Sequence, residues 1–154
     1  MPNRRTFISL LTAAPLALVP GQVFASTHDV WDLETLKTAL DNDLARLVDI
    51  RRPDEWQGTA VARGAWPIDM RDPRFGERLL AARTRAEGRP VALICRSGAR
   101  SGRVMTEIRR AQWTGFVDAA GGMLGNGRER GWIARGYPVV SAEQALAALP
   151  PELA

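Results

Sequence analysis

Seven consecutive residues, Cys95-Arg96-Ser97-Gly98-Ala99-Arg100-Ser101, concentrate the chemistry this chain can offer. Cys95 directly follows the apolar run Val91-Ala92-Leu93-Ile94, which reads as a central strand covered on both faces. The apolar spacing predicts a helix over 101–111, so the segment between is a short loop leaving the carboxyl end of a strand. That is where open parallel sheets bind their ligands. With Gly98 available for a left-handed turn, successive N–H groups of such a loop can converge on one centre, and the helix N-terminus adds its partial positive charge there. Arg96 and Arg100 bracket the loop with two permanent charges. Each feature favours a thiolate over a thiol and suits a small anionic substrate. A lone cysteine after a buried strand is otherwise a small core hydrophobe. A core cysteine gives no reason for two guanidinium groups to follow at once, since burying them without anions is costly.

The rest of the composition leaves few competitors. The 154 residues include one cysteine and one histidine, His28, which excludes an internal disulfide, Cys-rich zinc modules and histidine-cluster metal sites. No metal or cofactor is expected. The formal net charge is +4, and Lys37 is the only lysine among 21 basic residues. Acids alternate with bases along most of the chain, so the charge does not form a nucleic-acid footprint. Arg109-Arg110 and the Arg128–Arg130 region accordingly read as solvated surface.

Met1–Ala25 reads as a cleavable leader: Arg4-Arg5, an apolar stretch from Phe7 to Val19, and small residues ending at Ala25. The apolar stretch is too short and too interrupted to span a bilayer, which takes about 20 residues. Asn3-Arg4-Arg5-Thr6-Phe7-Ile8 resembles a twin-arginine export signal, with Ser9 leaving the Sec route open. The expected product is a single domain over residues 26–154 in the periplasm or secreted, with no stable membrane insertion. An unpaired thiol in an oxidising compartment points to a reactive group.

Strands and helices alternate along that domain. Asp32 is placed to cap a helix whose Leu33, Leu36, Ala39 and Leu40 share a face. A strand over Leu44–Ile50 enters the turn Arg51-Arg52-Pro53-Asp54, a helical turn follows over Pro53–Gln57, and Gly64–Ile68 reads as a marginal strand because Pro67 cannot donate to a ladder. Asp72-Pro73 reads as the start of a helix carrying Phe75, Leu79, Ala82 and Ala86 and stopping at Gly88. The helix over 101–111 is expected to turn Val104, Ile108 and Ala111 inward. A strand over Phe116–Ala119, a short helix over Glu129–Arg135 and a last helix opened by a Ser141/Gln144 capping box complete the pattern. This rhythm implies an α/β fold, a mostly parallel open sheet with helices on both faces.

The chain resembles the single-domain rhodanese-like sulfurtransferases over roughly Asp29–Val140. The resemblance is carried by Leu47-Val48-Asp49-Ile50-Arg51 with Glu55-Trp56, by Gly64-Ala65, by the Cys95–Ser101 loop, by Gly121-Gly122-Met123 and by Gly136-Tyr137-Pro138-Val139. It implies a five-stranded rhodanese-like sheet and sulfur transfer through a Cys95 persulfide, from thiosulfate or a similar anionic donor to cyanide or a thiol. The amides of Arg96, Ser97, Gly98, Ala99 and Arg100, with Ser101, would hold the persulfide or the leaving anion. Arg100 would close the ring of charge, and Arg96 would recruit the donor. Asp49 and Arg51 match positions that support the loop from below, an ordinary ion pair being the plainer alternative. The segment Gly58–Arg63 departs from the family pattern, which has a histidine there, and so alters the nearby pocket wall.

Two other readings compete. A persulfide carrier or non-catalytic module serving a protein partner would use the same loop. A cysteine phosphatase or arsenate reductase would need a wider anion cradle, one residue longer than the four that separate Cys95 from Arg100. The five tryptophans read as core or rim, with Trp66 placed to wall the pocket, and Met123 as packing.

Overall fold

Asp32 opens the first described helix: its carboxylate accepts from the Thr35 N–H at 2.7 Å, in the manner of an N-cap. The structure, a computed structural model, describes residues 30–154; the leader expected over residues 1–25, and His28, lie outside them. In chain order the elements are β1 (Val30–Trp31), α1 (Leu33–Asp41), β2 (Arg46–Asp49), α2 (Pro53–Gly58), β3 (Val61–Ala62), β4 (Trp66–Pro67) and α3 (Phe75–Arg85). They continue with β5 (Val91–Ile94), α4 (Ala99–Arg110), β6 (Phe116–Ala119), β7 (Val139–Val140), α5 (Ala142–Ala147) and a 3₁₀ turn over Pro151–Leu153. Among the described residues no helix is long and apolar enough to cross a membrane.

Five strands form one parallel sheet in the order β1-β6-β5-β2-β4, and β3 pairs antiparallel with β7 in a separate ribbon. β5 is central and entirely buried, as its unbroken apolar run requires. Alternation along it divides the core in two. Ala92 and Ile94 face a layer built on Leu33 and Leu36 of α1, Trp56 of α2 and Ala145 of α5. Val91, Leu93 and Cys95 face Leu79 and Ala82 of α3 with Met105 and Ile108 of α4. Helices therefore cover both faces. Pro67 sits on the edge strand β4, where its missing N–H costs no ladder bond. The Ser141/Gln144 capping box is present and opens α5.

Three expected elements differ. α3 begins at Phe75 rather than at Asp72-Pro73, because the Asp72 side chain is spent on a preceding turn, accepting from the Arg74 N–H at 2.7 Å. α4 starts at Ala99, two residues early, and buries Ser101, Met105 and Ile108; Val104 is half-buried and Ala111 is exposed beyond the helix end. Glu129–Arg135 is not a helix. Its amides turn instead to the facing loop, Trp132 N–H donating to the Gly122 carbonyl and Ile133 N–H to that of Met123. Gly131 is pressed against that loop so closely that a Cβ would lie 2.2 Å from the Gly125 nitrogen.

This contact generates a test. Gly131→Ala should lower the stability read from the urea unfolding midpoint by about 1–3 kcal/mol, the usual cost of forcing atoms into a filled site. An unchanged midpoint would contradict the close approach.

Candidate active site

The ends of β2 and β5 lie side by side, and the residues just beyond them build the site. Leaving β5, Cys95 is fully buried, and its Sγ accepts from the Gly98 N–H at 3.2 Å and from the Ser101 hydroxyl at 3.5 Å. Gly98 is the N-cap of α4 and has φ 92°, the left-handed turn its position in the sequence implies. The sulfur thus occupies an acceptor position at the positive end of a 12-residue helix.

The loop is oriented from behind. Met123 N–H donates to the Cys95 carbonyl and Leu124 N–H to the Arg96 carbonyl, each at 2.8 Å. Because a peptide unit is planar and trans, the N–H groups of Arg96 and Ser97 point away from that strap. Gly122 makes this packing feasible, since a Cβ there would meet the Arg96 and Ser97 backbone at 2.6 Å. Met123 is itself buried core.

The expected residues come together, with differences in detail. Among the described residues, only the Gly98 amide of the 96–100 loop bonds to Sγ. Arg96, Ser97, Ala99 and Arg100 line a cleft of about 450 Å³ together with Arg52, Glu55, Met70 and Arg71. Cys95 is not on its wall, nor is Trp66, which is half-buried against the α3/α4 core. The Arg96 guanidinium is exposed and has no ion-pair partner among the described residues. Asp49 and Arg51 do pair, both fully buried, at 2.7 Å. Arg51 spends its other donors on the Thr59 hydroxyl and the Ala60 carbonyl, so the pair ties β2 to the segment that departs from the expected pattern and makes no bond to the loop.

One site residue carried no assigned role in the sequence reading. Glu55, at the third position of α2, takes both terminal nitrogens of Arg100, at 2.7 and 2.6 Å. That bidentate pairing fixes Arg100 beside the loop. The Arg100 guanidinium, together with the Arg52 N–H, holds the Glu55 carboxyl down at about 2, from an ordinary 4.5, against the opposing effect of burial. The Glu55-Trp56 pair was visible in sequence, but its partner lies 45 residues away.

A family model described as Rhodanese-like domain matches residues 32–125. An uncharacterized protein of Synechocystis is 28% identical over 113 residues, which cover 73% of this chain and 56% of that protein. The chain therefore spans a little over half the length of that relative. Among solved structures, the rhodanese-like domain of an Anabaena protein is similar in fold, with TM-score 0.56 over 80% of this chain and 85% of that one at 16% identity. A crystal structure from M. tuberculosis gives TM-score 0.50 at 25% identity, over 73% of this chain and 99% of that one. The polysulfide-sulfur transferase homodimer of Wolinella succinogenes gives 0.50 at 19% identity, over 73% and 80%.

The Glu55–Arg100 contact has a pH signature. A carboxyl depressed in the folded state contributes stability that is present above its unfolded value and lost as pH falls toward the folded one. Wild type should therefore exceed Glu55→Gln in stability at neutral pH by at most about 3 kcal/mol. The two should converge as pH falls from 4.5 toward 2, the interval set by the Glu55 shift. Parallel curves from urea unfolding at each pH would contradict the assignment.

Proposed function

The chain belongs to the rhodanese-like domain family, and on that premise we propose that it is a sulfurtransferase using Cys95 as its nucleophile. The Cys95 thiolate attacks the outer sulfur of thiosulfate or a similar anionic donor. The donor S–S bond breaks, sulfite departs with the electron pair, and a Cys95 persulfide remains. Cyanide or a thiol then takes the outer sulfur, and Cys95 regains its electron pair. Splitting a transfer in this way is the normal use of a nucleophilic cysteine.

The observation that carries this reading is the Cys95 Sγ accepting from the Gly98 N–H at the start of α4. A sulfur that accepts from an amide and a hydroxyl is in the environment of an anion rather than of a core methyl group. The outward N–H groups of Arg96 and Ser97 would receive the charge that develops on the departing donor. Arg96, exposed on the cleft, would attract the donor, while Arg100 is held in place by Glu55 for electrostatic support. The cleft lining, four arginines and one glutamate, supports an anionic substrate. Because Cys95 is fully covered, transfer requires the 96–100 loop to open a path to the sulfur. That covering also favours the second reading, a module that carries a persulfide for a protein partner. The short span between Cys95 and Arg100 disfavours phosphate as substrate.

Thiosulfate:cyanide turnover tests the proposal. Cys95→Ser should abolish it with the fold retained, Arg100→Ala should mainly lower kcat, and Arg96→Ala should mainly raise KM. Full turnover by Cys95→Ser, or turnover of an aryl phosphate in place of thiosulfate, would overturn it.

A further inference from the structure

The cleft beside the 96–100 loop continues past the residues that the proposed transfer uses. A second cavity, of about 580 Å³, adjoins it. Arg71 lines both, and the two share out neighbouring residues: Arg52, Glu55 and Met70 line the first, while Pro53, Trp56 and Asp69 line the second. At the start of α2 this follows from helical spacing, since positions three apart share a face. Cavities of about 300–1,000 Å³ each take a drug-sized molecule. Thiosulfate and cyanide are a handful of atoms, so the two spaces far exceed what either needs.

The two parts differ in chemistry. In the cleft, Arg52 is paired with Asp54 and Glu55, Arg71 with Asp69, and Arg100 with Glu55. Arg96, next to Cys95, is left as the cleft cation with no carboxylate partner among the described residues, and it suits a single acidic group. The second cavity is neutral, with Asp69 paired to Arg71 at 2.7 Å and Asp72 to Arg78 at 2.6 Å. The rest of its wall is apolar: Pro53 and Trp56 of α2, Pro67 of β4, Pro73, and Leu146 of α5. Leu146 is 46% exposed. Scattered exposed leucines need no explanation, but this one stands with three prolines and an indole around a concave space.

An unpaired cation beside the sulfur and a neutral apolar cavity across Arg71 together fit a chain that carries unlike groups along its length. An extended polypeptide is such a chain, advancing roughly 3.3 Å per residue. An acidic residue beside a cysteine can occupy the cleft while a side chain a few residues along reaches the second cavity. The order of the reaction permits it. The donor's anion has departed before the acceptor enters, so Arg96 is free again for the second half.

Resting on the Cys95 persulfide of the preceding subsection, we propose that the sulfur acceptor is a cysteine-bearing polypeptide segment. An acidic residue beside its cysteine is held at Arg96, and a large apolar side chain seats against Trp56, the three prolines and Leu146. In the step, the segment's thiolate, its proton already given to solvent, attacks the outer sulfur of the persulfide. The thiolate's electron pair forms the new S–S bond. The bond between Cys95 Sγ and the outer sulfur breaks, and Cys95 keeps that pair as a thiolate. The outer sulfur crosses with its own proton, and no oxidant or reductant takes part.

Loss of the persulfide, followed by intact mass after thiosulfate loading and desalting, reads the choice of acceptor. The probes are short synthetic peptides with Glu next to Cys and Leu a few residues away on either side, each matched by a peptide with Ser in place of Leu. The best Leu peptide should discharge Cys95 about tenfold or more faster than its match, the effect of burying one leucine side chain. Leu146→Glu should bring that ratio close to one. Leu80→Glu, at a similarly exposed position lining a separate cavity, should keep it. Equal rates for every matched pair would overturn the proposal, as would an advantage that survives Leu146→Glu or disappears in Leu80→Glu. The same pairs, labelled and with Ser in place of Cys, read binding by fluorescence anisotropy without any sulfur donor. The Leu peptide should again bind about tenfold tighter to wild type and no tighter than its match to Leu146→Glu, and equal affinities in wild type would overturn the proposal. A protein that gains no sulfur yet shows this binding preference would count against the proposed function alone. One that gains sulfur yet shows no preference would count against this acceptor alone.

Discussion

Two hydrogen bonds, from the Met123 and Leu124 amides to the Cys95 and Arg96 carbonyls, set the direction of everything that follows in the loop. Once those carbonyls are engaged from behind, peptide planarity turns the adjoining N–H groups the other way. The constraint reaches back into composition, since only a residue without a Cβ fits at Gly122 against the Arg96–Ser97 backbone. It also reaches forward into α4, whose first turn then presents the Gly98 amide and the Ser101 hydroxyl to one sulfur atom. The same strap explains why residues 129–135 are not helical: their amides hold the strap in place from its far side.

Electrostatics is layered around this backbone frame. Nearest the cleft, Glu55 and Arg100 fix each other, so the guanidinium is positioned before any ligand arrives. Beneath, Asp49 and Arg51 are both fully buried and satisfied by each other, with the remaining Arg51 donors anchored on Thr59 and Ala60. A buried pair of that kind contributes less to net stability than to fixing where the ends of neighbouring segments lie. Only Arg96 among the loop's charges faces outward unpaired among the described residues, which suits it to a mobile anion rather than to structure.

What the sequence made legible was local. The buried run Val91–Ile94, the Asp32 cap and the Ser141/Gln144 box depend on contacts within a few residues, and they appear where their patterns place them. The Cys95–Ser101 loop was legible for the same reason, because strand, turn glycine and helix start are contiguous. What was missed depends on distant partners. Gly136 and Pro138 read as the stop of a short helix over Glu129–Arg135, but nothing in that stretch reveals the loop that competes for its amides. β3 and β7 are two-residue strands that exist only by pairing across the domain. The Arg100–Glu55 contact bridges 45 positions and emerges only when α2 and α4 are brought together at the sheet's end. On α4 itself the buried face runs through Ser101, Met105 and Ile108, and Ala111 lies beyond the helix end.

The proposed sulfur transfer depends on one sulfur atom, held as an acceptor and used as a nucleophile. Intact-mass spectrometry of the purified protein after thiosulfate treatment addresses that most directly. The expected result is a gain of one sulfur located on Cys95 and removed by cyanide. An unchanged mass, or a gain that survives Cys95→Ala, would contradict the account.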